Sequence, residues 1–256
     1  MYLYVYDAYV QDAKYEGVLA NIENRLIELG INGKVERLSY LKSPSELILE
    51  GLKRGARTVV AVGNDDTFKK VLTVVSPYDI VVGLIPVGGR SRVAEVFGIG
   101  HEQKACDTLS MRLVQTIDLL EANQHVVFSS IQIPSRQMVT IEIDGRYRVT
   151  PMHFRDNITI SNLGPLFRED FDLKHDLRDP QDGLADVEFQ PVRRSMLGKP
   201  RKAGKPSVFS GKHFVVVGQD EKVKMIADLN TKLVTPLTIN VLPCAQKVIV
   251  GKKRKF

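Results

Sequence analysis

Apolar residues in the first half of the chain fall into short continuous runs separated by stretches of helical spacing. YLYVY (2–6), TVVAV (58–62) and DIVVGLI (79–85) read as strands buried on both faces, with KVERL (34–38) as a shorter one. Between them, 12–29 places Val18, Ile22, Leu26 and Leu29 on one helical face before Gly30. Ser43-Pro44 supplies a cap and a first-turn proline for a helix through Leu47, Leu49 and Leu52. Further helices are expected over 67–75, 91–97 and 102–114. Strands alternating with helices predict a parallel sheet with both faces covered and right-handed crossovers.

After about residue 122 the spacing changes. HVVFSSIQI (125–133), QMVTIEID (137–144), NITIS (157–161), ADVEFQPV (185–192), HFVVVG (213–218), TPLTINVL (235–242) and KVIVG (247–251) are short β-type runs divided by turns. Asp144-Gly145 marks a hairpin between MVTIEI and RYRV. The expected fold is therefore α/β plus all-β. A Rossmann-like parallel domain over 1–122 precedes a mostly antiparallel β-sandwich domain over 123–234, with a cleft between them.

The chain has 256 residues, 43% hydrophobic and 26% charged, an ordinary composition for a globular protein with a real core. No apolar run approaches the roughly 18–20 residues of a membrane-spanning helix. The N-terminus lacks the basic and long apolar regions of a signal peptide. Cys106 and Cys244 show no CxxC spacing and fit buried thiols better than a disulfide framework. These features point to a cytoplasmic protein. The net charge is +6, and part of it is local: Arg193, Arg194, Lys199, Arg201, Lys202 and Lys205 share one stretch, and the chain ends GKKRKF. The stretch 193–205 and the tail read either as a solvated loop and a frayed end or as attraction to an anionic partner. That partner would be a membrane surface, placing the protein at the inner face of a membrane, or a nucleic acid. Few aromatics interleave with the basic residues, which disfavours single-stranded RNA.

Two strand-to-turn junctions carry most of the chemical information: VVAVGNDDT (59–67) and VVGLIPVGGRSRVAEVFGI (81–99). Glycine lets a backbone approach phosphate, and N–H groups at a helix start supply donors. Neither turn matches a P-loop or GxGxxG, and each alone reads equally as a turn glycine. The five histidines show no HxxxH or HxH spacing, and no GxSxG elbow is present, so zinc and serine-hydrolase chemistry find no support.

Together, the turns resemble those of the diacylglycerol kinase catalytic-domain family, which includes bacterial lipid kinases and sphingosine kinases and is distantly related to NAD kinases. Gly63-Asn64-Asp65-Asp66-Thr67 stands where that family has GGDGT. In the family's second loop, P-x-G-T-G-N-D-x-A-x-x-x-G-I, this chain keeps Pro86, Gly88, Ala94, Gly98 and Ile99 and has Gly89, Arg90, Ser91 and Arg92 in place of Thr, Gly, Asn and Asp. TIDLLEANQHVVFSS (116–130), ITISNLG (158–164), DPQDGLADV (179–187) and ADLNTKLVTPLTINVLPCAQKVIVG (227–251) are similar to later family segments, in order. The resemblance implies transfer of the ATP γ-phosphoryl group to a lipid hydroxyl in the interdomain cleft, with Mg²⁺. It further implies nucleotide binding by Gly63, Asn64, Asp66, Thr67, Gly88, Gly89, Arg90 and Ser91, and a final segment, about 235–256, that returns to the first domain. Asp182 and Asp186 stand in a loop that ligates a divalent cation in some lipid kinases; a turn-forming Asp-Gly is the other reading.

The departures fall on the chemistry. Asp228 keeps the Asp of the family's DGE segment, Leu229 replaces its Gly, and Asn230 replaces the general-base Glu. An amide cannot take up a proton at neutral pH, which leaves Asp65 and Asp228 as the catalytic carboxylate candidates beside Asn230; a structural turn aspartate is the other, favoured reading of Asp228. The asparagine-proline of the family's first loop is absent; Asp7-Ala8-Tyr9 stands there, ahead of Lys14. Asp66 puts a charge where the family has glycine. At about 4 Å and an effective dielectric near 20, it would oppose a phosphate charge by about 4 kcal/mol. Asp65 and Asp66 are expected to pair with Arg90 and Arg92. In one version these pairs fill the phosphate site, and the protein is a pseudokinase binding a nucleotide or a protein partner. In another, Arg90 binds phosphate while Asp65 and Asp66 hold Mg²⁺. Four independent surface charges are the third possibility.

Overall fold

The computed structural model describes residues 1–39, 43–153, 155–194, 200–202, 204–219 and 222–256, with side chains omitted at 193–194 and 200–202. The chain forms two compact units, Met1–Ile117 with Ala245–Phe256, and Asp118–Cys244. Lys199 and the side chains of Arg193, Arg194, Arg201 and Lys202, on which the anionic-contact expectation for 193–205 rests, lie outside the described residues.

In the first unit the elements run β1 (Tyr2–Tyr6), α1 (Glu16–Glu28), β2 (Lys34–Arg37), α2 (Pro44–Lys53), β3 (Thr58–Gly63), α3 (Asp65–Val75), β4 (Val81–Pro86), α4 (Arg92–Phe97) and α5 (Gln103–Met111). The sheet order is β2-β1-β3-β4, every pair parallel. Each residue of β1 and β3 is buried, as the unbroken apolar runs demand of a sheet covered on both sides. Ser43 caps α2 reciprocally with Glu46, and Pro44 occupies the first turn. Helix α1 starts at Glu16 rather than at 12, because residues 8–15 form two short 3₁₀ turns. These turns bring Tyr9 to the Val87 carbonyl at 2.7 Å, so a tertiary contact overrides the helical spacing.

The second unit contains the rest: β5 (Val114–Ala122, which enters it from the first unit), β6 (His125–Val127), β7 (Ser130–Ile133), β8 (Val139–Ile143), β9 (Tyr147–Val149), β10 (Asn157–Ser161), β11 (Ala185–Gln190), β12 (Val192–Arg194), β13 (Pro200–Lys202), β14 (Ser207–Gly211), β15 (His213–Gly218), β16 (Lys224–Ala227), β17 (Thr231–Val234) and β18 (Leu237–Ile249). One antiparallel sheet has the order β14-β11-β10-β7-β16-β17. A second ladder joins β9, β8, β15 and β18. Apolar residues of both, among them Ile131, Val187, Ile141 and Phe214, share one buried core. Asp144 and Gly145 take positive φ (52° and 66°), so the hairpin between β8 and β9 turns as its sequence dictates.

Several strands depart from the sequence reading. β5 has no counterpart in the sequence reading, and its first residue, Val114, stands at the end of an expected helix; its consecutive buried residues Ile117–Leu120 conceal the period of two. Residues 125–133 break into two strands at Phe128-Ser129, and 235–251 fuse into one strand with Cys244 in the left-handed region (φ 51°). β14, β16 and β17 carry too few apolar residues in a row to be read.

β18 passes from the second unit into the first, where Lys247 and Val248 pair with Val81 and Val82 of β4. The basic tail beyond it is not frayed. Gly251 N–H donates to the Phe97 carbonyl, Lys255 N–H donates to Val96, and the rings of Phe256 and Phe97 meet edge to face at 5.6 Å. Gly98 makes this possible: it ends α4 in the left-handed region (φ 67°), and a Cβ there would lie 2.5 Å from the Arg254 nitrogen. Gly98→Ala should therefore lower unfolding stability by roughly 2–5 kcal/mol, combining left-handed strain and overpacking, read as a shift in the urea midpoint. Gly17→Ala, in α1 with open space around it, should raise stability by roughly 0.5–1 kcal/mol.

Candidate functional site

Both glycine turns sit at the C-terminal ends of neighbouring parallel strands. β3 and β4 pair in register up to Gly63↔Pro86, and Val87 N–H then donates to the Gly63 carbonyl at 2.9 Å. The sequence-predicted residues Gly63–Thr67 and Gly88–Ser91 are thus brought together at the C-terminal edge of the first unit's sheet, the edge where parallel α/β sheets commonly hold ligands.

The first turn is a helix start. Asn64 caps α3, its Oδ1 accepting from Thr67 N–H at 3.0 Å while Thr67 Oγ1 accepts from Asn64 N–H at 3.1 Å. Thr67 is fully buried, and its hydroxyl donates to Asp7 Oδ2 at 2.8 Å. Gly63 has to be glycine, since a Cβ would lie 2.3 Å from Thr67 Oγ1. Asp65 and Asp66 fill the first turn of α3, where the helix dipole favours carboxylates.

The two acids have different partners. Asp65 reaches across to the second turn: Oδ1 accepts from Ser91 Oγ at 2.5 Å and Oδ2 accepts from Arg92 N–H at 2.9 Å, and Val93 N–H also donates to it. Ser91 in turn caps α4, accepting from Ala94 N–H at 3.0 Å. The N-terminal donors of α4 are therefore taken by an internal carboxylate. Asp66 turns the other way and pairs with Lys70 one helical turn on, at 2.7 Å; Lys70 also lies 3.7 Å from Asp7. Burial alone would lower the Lys70 ammonium, but its bond to Asp66 and both neighbouring charges raise it. The expected pairing across the loops is corrected here: Arg90 forks onto Glu95 of the following helix, α4, at 2.6 and 2.8 Å, and Arg92 meets Asp65 through its backbone N–H.

The second turn is open. Gly88, Gly89 and Arg90 are exposed, Gly88 has φ 89°, and among the described residues their three N–H groups donate to no protein acceptor. Tyr15 lies over this turn, with its hydroxyl 3.0 Å from where a Gly88 Cβ would stand, and Tyr9 packs on Tyr15 at 5.8 Å. Sequence reasoning missed Asp7, Lys70, Tyr9 and Tyr15 as site residues. Lys70 was findable as the i+4 partner of Asp66, and Asp7 as a carboxylate at a strand end; nothing local marks the tyrosines.

In the second unit, Asp228, Leu229 and Asn230 form the turn between β16 and β17. Asp228 is 3% exposed and accepts from Phe128, Ser129 and Ser130 N–H at 3.0, 2.8 and 3.3 Å. This carboxylate holds the break between β6 and β7. Asn230 is exposed. Buried Asp118 similarly accepts from Gly183 and Cys244 N–H, each at 2.7 Å.

The residues do not form a cation cage. Both Asp65 oxygens are engaged, and Asp66 is paired with Lys70. Asp186 is held by Arg178 at 2.9 Å and Ser210 at 2.6 Å, and Asp182 accepts from Leu184 N–H as a turn aspartate does. Burial, with Asp179, Asp186 and Asp118 nearby, raises the Asp182 carboxyl. Among the described residues no group of three His, Cys, Asp or Glu side chains is placed to hold a metal ion.

Burial raises the Asp65 carboxyl above the usual aspartate value, against the lowering effect of the Ser91, Arg92 and Val93 hydrogen bonds. A group whose folded value exceeds its unfolded one supports the fold below the unfolded value and loses that contribution as pH rises through the folded value. Carboxyl-carbon NMR should show Asp65 titrating above Asp79 and Asp172. Lys247 lowers Asp79, and Lys174 N–H with His175 lowers Asp172. An Asp65 that titrates with them would mean its carboxylate is solvated.

Residues 5–122 match the model of the diacylglycerol kinase catalytic domain. No curated protein matches the chain. Among solved structures, a diacylglycerol kinase from Bacillus anthracis str. Sterne superposes with a TM-score of 0.78 at 15% identity, covering 99% of this chain and 97% of that one. A second structure from that organism, provisionally described as a diacylglycerol kinase, gives 0.78 at 13% identity and 99% and 98% coverage. The fold of these structures extends over the whole chain, and the part holding both glycine turns, residues 5–122, is the part that matches the diacylglycerol kinase catalytic domain.

Proposed function

We propose that the protein is a lipid kinase-family phosphotransferase that binds the phosphates of ATP at the Gly88-Gly89-Arg90 turn and transfers the terminal one to a lipid hydroxyl only slowly. The observation that carries this reading is the open second turn: three unengaged N–H groups beside an exposed arginine, at the ligand-binding edge of a parallel sheet. The low rate comes from the position of the general base. Asn230 cannot accept a proton, and Asp228, its nearest neighbour of the right chemistry, is buried with its lone pairs spent on three backbone donors. Phosphoryl transfer rests chiefly on positioning and charge stabilisation, so loss of the base reduces the reaction without abolishing it. A divalent ion would arrive on the nucleotide's own phosphates, since Mg²⁺ keeps several waters and needs few protein ligands.

A pseudokinase that binds without turnover is the second reading, favoured by the engagement of Asp65 with the α4 donors. Two measurements separate them. Titration calorimetry with ATP and Mg²⁺ should give saturable heat that Arg90→Gln weakens. With diacylglycerol vesicles, Asn230→Glu should raise ATP consumption by roughly 10²–10⁴. Absence of nucleotide binding at millimolar ATP would end the proposal. Binding without any gain from the restored carboxylate would establish the pseudokinase instead.

A further inference from the structure

The second unit holds a cavity of about 730 Å³ that the chemistry above does not use. It opens between the β9 end of one ladder and the edge of the other sheet formed by β11 and β14. Its position is fixed by register. β10 and β11 pair from Asn157↔Gln190 to Ser161↔Asp186, and Ser161 also pairs with Ser130, beside the Asp228 turn. The cavity lies at the other end, around Asp156, Phe189 and Ser207, so four strand residues, roughly 14 Å, separate it from that turn.

Its lining is two-sided. Phe189 and Phe209, edge to face at 6.0 Å, form an apolar wall with Val149 and Val192. Met152, at the cavity, is 88% exposed, and Phe209 is 40% exposed. Large apolar side chains left in water around a cavity are a cost that folding does not explain. The rim carries Arg148, Arg155 and His153. Arg148 is bound to Glu142 at 2.9 Å yet remains 77% exposed, and the one carboxylate among the described lining residues, Asp156, is buried and accepts from His153 N–H at 3.3 Å. An apolar wall of small-molecule dimensions beneath a basic mouth suits one class of ligand.

We propose that this cavity is an accessory binding site for an anionic amphiphile, a single lipid whose acyl chain lies on Phe189 and Phe209 and whose phosphate or carboxylate head meets Arg148 and Arg155. The site is separate from the nucleotide turn and does not depend on it.

The test uses the full chain and dodecyl phosphate below its critical micelle concentration, followed by titration calorimetry. Inorganic phosphate serves as the head alone and dodecyl maltoside as an uncharged chain. Dodecyl phosphate should bind saturably and at least roughly tenfold more tightly than either control, and Arg148→Gln and Phe209→Ser should each weaken it about tenfold. Arg148 is a surface residue, so its variant reports on binding even if Phe209→Ser destabilises the sheet; melting temperature checks both. No saturable binding, equal binding of dodecyl maltoside, or undiminished affinity in Arg148→Gln would each overturn the proposal.

Discussion

One hydrogen-bonded carboxylate organises the C-terminal edge of the first unit's sheet. Asp65 belongs to the turn after β3, yet its oxygens are spent on Ser91, Arg92 and Val93 at the start of α4. That link sets the distance between the two glycine turns. It also supplies the short α4 helix with a negative group at the end where unsatisfied N–H groups collect. Behind it, Phe97 of α4 is held by Phe256 and by the backbone of the returning tail. The six-residue helix is thus fixed at both ends by groups distant in sequence, a requirement for an element too short to be stable alone.

How much of the fold was legible in the sequence depends on how each signal arises. The parallel half was readable because both faces of β1 and β3 are covered, which forces unbroken apolar runs. Ser43-Pro44 announced the start of α2 through local capping chemistry. The partners of Asp65 and Asp66 were harder. Four charges near one edge allow several pairings, and the one that forms is set by side-chain reach: Lys70 is one helical turn from Asp66, and Glu95 is within the fork of Arg90. Tyr15 over Gly88 had no local signal at all, since it is placed by two 3₁₀ turns that interrupt an apparently helical stretch.

The antiparallel half shows a similar limit. Asp228 reads in sequence either as a substitute for the missing general base, since it keeps the first position of the family's DGE segment, or as a structural turn aspartate. In the fold it is a buried acceptor for three consecutive backbone donors, the service that closes the gap between β6 and β7. A buried, fully engaged carboxylate and a reactive one look alike in sequence, and only the count of donors around them separates the two. The same holds for Asp118, which ties the 183 loop to Cys244.

The adjacent acids of the first turn affect phosphate in unlike ways. An isolated Asp66 would oppose a nearby phosphate by several kcal/mol. With the Lys70 ammonium 2.7 Å away, the pair is close to neutral beyond its own dimensions, and most of that repulsion is removed. Asp65 does not repel the anion at a distance so much as occupy the α4 donors an anion would otherwise use. Under the proposed function, an anion at this edge would be confined to what Asp65 leaves open, the N–H groups of Gly88, Gly89 and Arg90. The arginine found there is held in place by Glu95 and still presents an exposed guanidinium face, the group that the proposed function would set against phosphate.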